Sequence, residues 1–252
     1  MTTEDSIVRF DGRAHDYDRH RPRYPRALFD ALANELAIGP STVVVDLGSG
    51  TGLSAEPLLA LGCTVHAVEP NAGMRRVAED RLGDEPGFHS VAGRAERTTL
   101  PGACADLVVA AQAFHWFDRA ATRGEMRRIL RPGGRVALFW NSRRTDTAFN
   151  ADYEALIERY ATDDRYLRCR RGAGEPVESF FAEPPRYLEF DNAQELDLEG
   201  LRGRLESSSY APRPGDPRHT GMLGELDALF ARHERAGRVT FAYRTELYLG
   251  VV

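Results

Sequence analysis

Hydrophobic positions in this chain follow two rhythms, one of strands and one of helices, and the two alternate. Thr42 to Val45 is a short β-branched run suited to a strand buried on both faces, and Asp46 closes it. Upstream, Leu28, Leu32 and Leu36 recur at every fourth position through PRALFDALANELA, which predicts a helix with one apolar stripe. Pro25 suits the first turn of that helix and Gly39-Pro40 ends it. Arg21-Pro22 and Tyr24-Pro25 force extended backbone just before it. After the Thr42 strand, a helical segment runs from Leu53 to Leu61, and Thr64 to Val68 is a second strand ending at Glu69. Asn71 is placed to cap a helix through Met74, Val77, Ala78 and Leu82. Phe88 to Ala92 and Asp106 to Ala111 are the third and fourth strands. Asp118 caps a helix from Arg119 to Leu130 that stops at Arg131-Pro132-Gly133-Gly134, and Arg135 to Trp140 is the fifth strand. Strands alternating with helices in this way predict an α/β fold, a parallel sheet of right-handed βαβ units.

The rhythm loosens from Asn141 to Pro185, where a helix is expected around Asp152 to Tyr160, followed by the arginine-rich RYLRCRRGAG. It resumes with a strand over Arg186 to Phe190 and helices over Leu198 to Ser207 and Met222 to Ala236. At the end, Val239, Phe241, Tyr243, Thr245, Leu247 and Leu249 alternate as the drier face of a strand. The expectation is a single domain over 1–252, with a flap at 1–24 and a cap insertion at 142–185.

Composition narrows the function classes. The chain has 252 residues, 42% of them hydrophobic, which suits one α/β domain with a small cap. A net charge of −5 gives no footprint for nucleic acid. All 33 basic residues are arginine. The absence of lysine excludes a Schiff-base lysine and with it ordinary pyridoxal-phosphate catalysis. Cys63, Cys104 and Cys169 are odd in number, far apart and never in C-x-x-C spacing, which argues against a disulfide framework and fits a reducing cytoplasm. No signal sequence or apolar run of ~20 residues is visible, so no membrane partner is expected. His15, His20, His66, His89, His219 and His233 lack metal-ligand spacing, and no metal is expected.

Candidate chemistry gathers after the first strand. Gly48, Gly50 and Gly52 alternate between a strand and a helix start, where backbone N–H groups can meet a ligand. Gly50 to Ala55 also satisfies G-x-G-x-x-A, so an NAD(P)-dependent Rossmann oxidoreductase stays open as an alternative. Asp46 at the strand tip opposes a pyrophosphate, whereas a zwitterionic or cationic ligand is welcome there. Glu69, 23 residues further at the next strand tip, is placed to accept hydrogen bonds from both ribose hydroxyls; a solvated strand-end acid is the plain alternative.

DLGSGTG, the acid in AVEPN, GRAE, DLVVAAQAFHWFD and LRPGGRVAL, in that order and spacing, resemble the class I S-adenosylmethionine-dependent methyltransferases. The likeness is strongest over residues 40–141 and leans toward the ubiquinone/menaquinone-biosynthesis and trans-aconitate methyltransferase group; DYDRHRPRYP and the closing aromatic strand share it. The resemblance implies a Rossmann-like doubly wound sheet of order 3-2-1-4-5-7-6 with the last strand antiparallel. It implies S-adenosylmethionine as methyl donor and S-adenosylhomocysteine as product. Asp46, Gly48 and Gly50 would hold the methionine moiety and Glu69 the ribose. Met74 would pack near the adenine, whose edge would meet Ala95 and Glu96, while Ala111 and Gln112 would lie beside the sulfonium. Tyr17, Arg21 and Tyr24 would belong to a flap, with Arg21 pairing with the donor's carboxylate.

Methyl transfer from a sulfonium is an in-line displacement, so the protein chiefly orients the reactants and dries the site. His115 is the best-placed general base, though it and Trp116 serve equally as pocket wall. Trp140 and Asn141 end the fifth strand and are expected to face the same crevice. Arg143, Arg144, Arg165, Arg168, Arg170 and Arg171 crowd the insertion; a solvated face is the favoured reading, selection of an acidic acceptor the other. The acceptor is expected to be a small molecule, an acidic compound or natural product among the candidates, methylated at oxygen, nitrogen or carbon. A nucleic-acid methyltransferase would need a basic stripe and an Asn/Asp-Pro-Pro-aromatic motif where this chain has AQAFHW. A non-catalytic cofactor-binding module is the remaining class.

Overall fold

The computed structural model describes residues 14–162, 175–208 and 210–252. Residues 1–13 of the expected flap and residues 163–174 of the expected cap, with Arg165, Arg168, Cys169, Arg170 and Arg171, lie outside the described residues.

The β-branched run forms strand β1 (Val43–Leu47) at the middle of a seven-stranded sheet. β1 pairs in parallel with β2 (Thr64–Val68) on one side and β4 (Ala105–Ala111) on the other. β3 (Phe88–Val91) lies beyond β2, and β5 (Leu130–Arg143) beyond β4, both parallel. β7 (Val239–Gly250) then pairs antiparallel with β5 and with β6 (Arg186–Leu196), which forms the outer edge. The order is 3-2-1-4-5-7-6, as expected.

Adjacent residues on the central strands serve opposite faces, as the pleat requires. Val44, Leu107, Val109, Phe139 and Leu247 pack under helix α2 (Arg26–Leu36) through Leu28, Phe29 and Leu32. Val45, Val108, Ala110, Val136 and Leu138 pack on the other face against Met126 and Ile129 of α5 (Arg119–Ile129) and against Phe180. Two short helices, α3 (Ala55–Leu59) and α4 (Ala72–Leu82), complete the first half. Asn71 caps α4 by accepting from the Met74 N–H at 2.9 Å, and Asp118 caps α5 by accepting from Ala121 at 3.0 Å. A third core joins α6 (Ala148–Tyr160), α7 (Leu198–Glu206) and α8 (His219–His233) over the start of β7, around Tyr153, Leu205, Leu226, Phe241 and Tyr243.

Several elements differ from expectation. A helix over Ala14–His20, α1, occupies a segment that carried no helical pattern, and it packs against α4 and α7. Tertiary contact, not local propensity, holds it. The strand expected to stop at Phe190 continues through the polar DNAQEL to Leu196, because β7 offers it a partner at every position. The RPGG stop lies inside β5: Gly133 takes φ +83°, and the register with β4 shifts between Ala105 and Leu107. Trp140 and Asn141 do not share a crevice. Successive strand residues point to opposite faces, so Trp140 packs edge-on to Phe114 and Tyr248, while Asn141 turns to the other side.

Asn141 fastens the N-terminal segment to the sheet. Its Oδ1 accepts from Thr245 Oγ1 at 2.6 Å and from Asn192 Nδ2 at 3.0 Å. Its Nδ2 faces the carbonyls of Pro22 and Arg23 at 3.4 and 3.3 Å. Asn141→Ala strands these buried groups and is expected to lower stability by about 1–3 kcal/mol, measurable by urea unfolding.

Candidate active site

The strand tips shape a crevice. After Asp46 the chain reverses through Gly48, at φ +66°, and its N–H donates to the Val68 carbonyl at 2.8 Å, tying the turn to the end of β2. A Cβ on Gly48 would stand 2.7 Å from the Ala113 Cβ, so the turn and the segment after β4 approach as closely as two backbones can there. Glu69 then locks the two tips together. Its Oε2 accepts from the Gly50 N–H at 3.0 Å and its Oε1 from the Asn71 N–H at 2.8 Å. Burial pushes the Glu69 carboxyl above its ordinary range, against the pull of these two N–H groups.

Asp46 lies beneath the turn rather than on the crevice wall. It is fully buried; Ser54 Oγ donates to its Oδ2 at 2.6 Å, while Oδ1 has no hydrogen-bond partner. Burial, with a smaller contribution from Glu69, raises its pKa to about 7 despite the Ser54 hydrogen bond.

The crevice spans about 750 Å³ including its open mouth. Gly48, Gly50 and Glu69 line its rim at the tips of β1 and β2, and Met74, Ala95 and Glu96 line it beside them. Ala111, Gln112 and Trp116 line the β4 side, and Tyr17 of α1 closes the top. Gln112 sits at φ +57°, a strained conformation for a non-glycine residue, held by its N–H to the Phe139 carbonyl at 3.0 Å and by Nε2 to the Asn141 carbonyl at 3.2 Å. Glu96 Oε1 accepts from the Asp118 N–H at 2.9 Å.

Other expected residues stand elsewhere. His115, on a 3₁₀ turn over Phe114–Trp116, is exposed, with its ring 4.8 Å from that of Trp116, and it is off the crevice wall. Tyr24 packs edge-on to Phe139 at 4.9 Å. Arg21 does not line the crevice: its guanidinium lies 4.7 Å over the Tyr17 ring, and its Nη2 donates to the Ser207 carbonyl at 3.0 Å. Arg144 is a surface partner of Asp146 at 2.6 Å, in keeping with a solvated face. Arg143 departs from that reading; its side chain is 9% exposed and it pairs with Glu154.

Sequence reasoning missed Pro70, Arg94, Ala113 and Phe117 on the wall, and it read Asn71 only as a cap. Arg94 and Phe117 were within reach, since they lie in the GRAE and HWFD stretches. Arg81 was also missed. It joins Asp18 of α1 to the Thr51 carbonyl, both at 2.8 Å, and so latches α1 to the glycine turn. Among the described residues no cluster of His, Cys, Asp and Glu is arranged to hold a metal ion, and no helix is long and apolar enough to cross a membrane.

Comparison with known proteins identifies the family. Residues 45–138 match a family model described as a methyltransferase domain. An uncharacterized methyltransferase of Mycobacterium tuberculosis is 38% identical over 229 residues, covering 91% of this chain and 88% of that protein. A proposed type II methyltransferase from Anaeromyxobacter dehalogenans superposes with a TM-score of 0.67 at 27% identity, over 92% of this chain and 97% of that one. A phosphoethanolamine N-methyltransferase of Haemonchus contortus, solved with phosphomonomethylethanolamine and S-adenosylhomocysteine, gives a TM-score of 0.55 at 16% identity, over 100% of this chain and 60% of that one; this likeness is one of fold.

Asp46 yields a pH signature. Folded, it titrates at about 7; its ordinary value is 3.8. Between those values the folded chain holds a proton that the unfolded chain has released, so Asp46 makes stability fall as pH rises through that window. Asp46→Asn removes this slope. Urea unfolding at pH 5 and pH 7.5 is expected to show wild type losing a few kcal/mol relative to the variant; parallel profiles would refute the assignment.

Proposed function

The chain belongs to the class I S-adenosylmethionine-dependent methyltransferases, and on that premise we propose that its crevice holds S-adenosylmethionine and serves methyl transfer to the oxygen, nitrogen or carbon of a small-molecule acceptor. The observation that carries this reading is the Glu69 carboxylate, fixed at the rim by the N–H groups of Gly50 and Asn71. Each oxygen keeps a lone pair for a ribose hydroxyl. The cradle beside it is empty of protein, since a Cβ on Gly50 would meet nothing within 4 Å.

The remaining residues fit the donor's parts. Met74 and Ala95 offer apolar surface for a purine, and Glu96 an acceptor at its edge. Gly48, Gly50, Ala111 and Gln112 surround the methionine end. Asp46, buried below with an unsatisfied oxygen, supplies negative potential when ionised, the form that a positive sulfonium above it favours. The same carboxylates, Asp46, Glu69 and Glu96, oppose the pyrophosphate of a nicotinamide dinucleotide. A nucleic-acid acceptor finds little support in a chain of net charge −5.

When bound, the donor supplies a methyl group already activated by positively charged sulfur. The chain's task is to orient the reactants and exclude water. Tyr17 and the Arg81–Asp18–Thr51 latch close α1 over the crevice, and Gln112 holds its backbone in place at the β4 tip. His115, exposed and off the crevice wall but beside Trp116, which lines it, is the proton acceptor for an acceptor atom that carries a proton.

Glu69→Ala is expected to weaken S-adenosylmethionine binding by about 1–3 kcal/mol by calorimetry, and an unchanged dissociation constant would refute the ribose role. Gly50→Ala places a methyl in the cradle, so it should abolish measurable binding while costing only about 1–2 kcal/mol of stability. His115→Ala should lower turnover more than donor affinity; full turnover at saturating acceptor would remove it as a base.

A further inference from the structure

One residue of the crevice wall keeps an unfavourable backbone conformation while presenting a polar side chain. Gln112 follows β4 at φ +57°. Glycine or asparagine takes that conformation at little cost, whereas glutamine is strained in it. Strain of this kind gathers where a side chain must be aimed. Hydrogen bonds hold it there. The Gln112 N–H donates to the Phe139 carbonyl at 3.0 Å and Nε2 to the Asn141 carbonyl at 3.2 Å. Asn141 is itself fixed, since its Oδ1 accepts from Thr245 and Asn192. The amide therefore sits one way round; reversed, it would set its oxygen against the Asn141 carbonyl oxygen. With Nε2 engaged there, Oε1 turns away from that carbonyl. It accepts no hydrogen bond from any of the described residues.

The β4 side of the crevice makes that oxygen distinctive. Ala111, Ala113, Trp116 and Phe117 line it beside Gln112. None of their side chains offers a hydrogen-bond acceptor, an acid or a base. The carboxylates of the wall, Glu69 and Glu96, stand toward β2 and β3, and each already accepts from backbone N–H groups.

We propose that Gln112 Oε1 is the acceptor-binding group of the transfer step, and that the methylated atom is a nitrogen or oxygen bearing hydrogen, as in an amine or a hydroxyl, and not a carbon. This rests on the reading of the crevice as the methyl-donor site with Gln112 at its methionine end. An amide oxygen accepts a hydrogen bond without taking the proton. It holds the N–H or O–H so that the lone pair, and not the hydrogen, meets the methyl carbon. That lone pair forms the new bond as the carbon–sulfur bond breaks, and the old bonding pair stays on sulfur. Positive charge grows on the heteroatom, where the carbonyl dipole stabilises it more than in the ground state. The proton then leaves to His115 beside Trp116 or to water.

The test is calorimetry on the full chain with ligands that differ where the methyl would be. S-adenosylhomocysteine carries nothing there, sinefungin a protonated amine, and S-adenosylhomocysteine sulfoxide an oxygen that can only accept. The wild-type chain is expected to bind sinefungin more tightly than S-adenosylhomocysteine and the sulfoxide more weakly. Gln112→Met keeps the length of the side chain and removes the carbonyl. It should cut the preference for sinefungin about tenfold or more, the scale of one hydrogen bond to a charged group, and relieve the penalty on the sulfoxide. Gln112→Asn, which suits the backbone and draws the oxygen back by one carbon, is expected to lose the preference likewise. A merely structural Gln112 shifts all these affinities by one factor and leaves their ratios unchanged, which overturns the proposal. So does a wild-type chain with no preference for sinefungin. A second readout names the atom. S-adenosylmethionine isotopically labelled in its methyl is incubated with a small-molecule extract of the cells that make this protein, and the magnetic resonance shift of the transferred methyl is read. A methyl on nitrogen or oxygen supports the proposal and tells amine from hydroxyl, and a methyl on carbon overturns it. Failure of S-adenosylhomocysteine to bind would instead overturn the donor reading, so the two failures are distinct.

Discussion

A carboxylate fastened to backbone organises this molecule. Glu69 accepts one N–H from the glycine turn after β1 and one from the start of α4, and so ties two adjacent strand tips into one rim. The turn can come that close only because Gly48 adopts a left-handed backbone against Ala113. The parallel sheet supplies the setting, since it brings the carboxyl ends of β1, β2 and β4 to one side. Remove the sheet order and the acid would be a solvated strand end; remove the acid and the turn would be an ordinary glycine loop.

The alternating half of the fold was legible because its determinants are local. Thr42 to Val45, the Asn71 and Asp118 caps, and the period-two face of β7 each announce themselves within a few residues, and each stands where expected. The second half of β6 was not legible. DNAQEL has no strand signal, and its conformation comes from a neighbour far along the chain. Helix α1 is another such case, ordered by α4, α7 and the Arg81 latch.

Most of the candidate site was legible for the same reason, since Gly48, Gly50, Glu69, Met74, Ala95, Glu96, Ala111 and Gln112 come from the strand tips and the turns and helix start that follow them, and they line one crevice. Depth was not. Asp46 sits a layer beneath the wall, and Trp140 and Asn141 part company across the sheet. Arginine chemistry was least readable. In a chain whose only strong cation is arginine, nothing local distinguishes Arg144 on the surface from Arg143 or Arg204 inside.

The outer edge of the sheet has a consequence for how copies of this protein meet. β6 ends the sheet with eleven residues of strand whose outward side meets no further strand among the described residues, the kind of edge that templates aggregation. Along it Glu189, Asp191 and Glu195 are exposed at spacings of two and four. A second copy approaching edge to edge would have to desolvate these carboxylates, two of which lie within ion-pair reach of Arg244 and Arg144. The polar run that hid this strand from its pattern is therefore also its protection: the residues that make β6 a poor strand in isolation keep it from recruiting another.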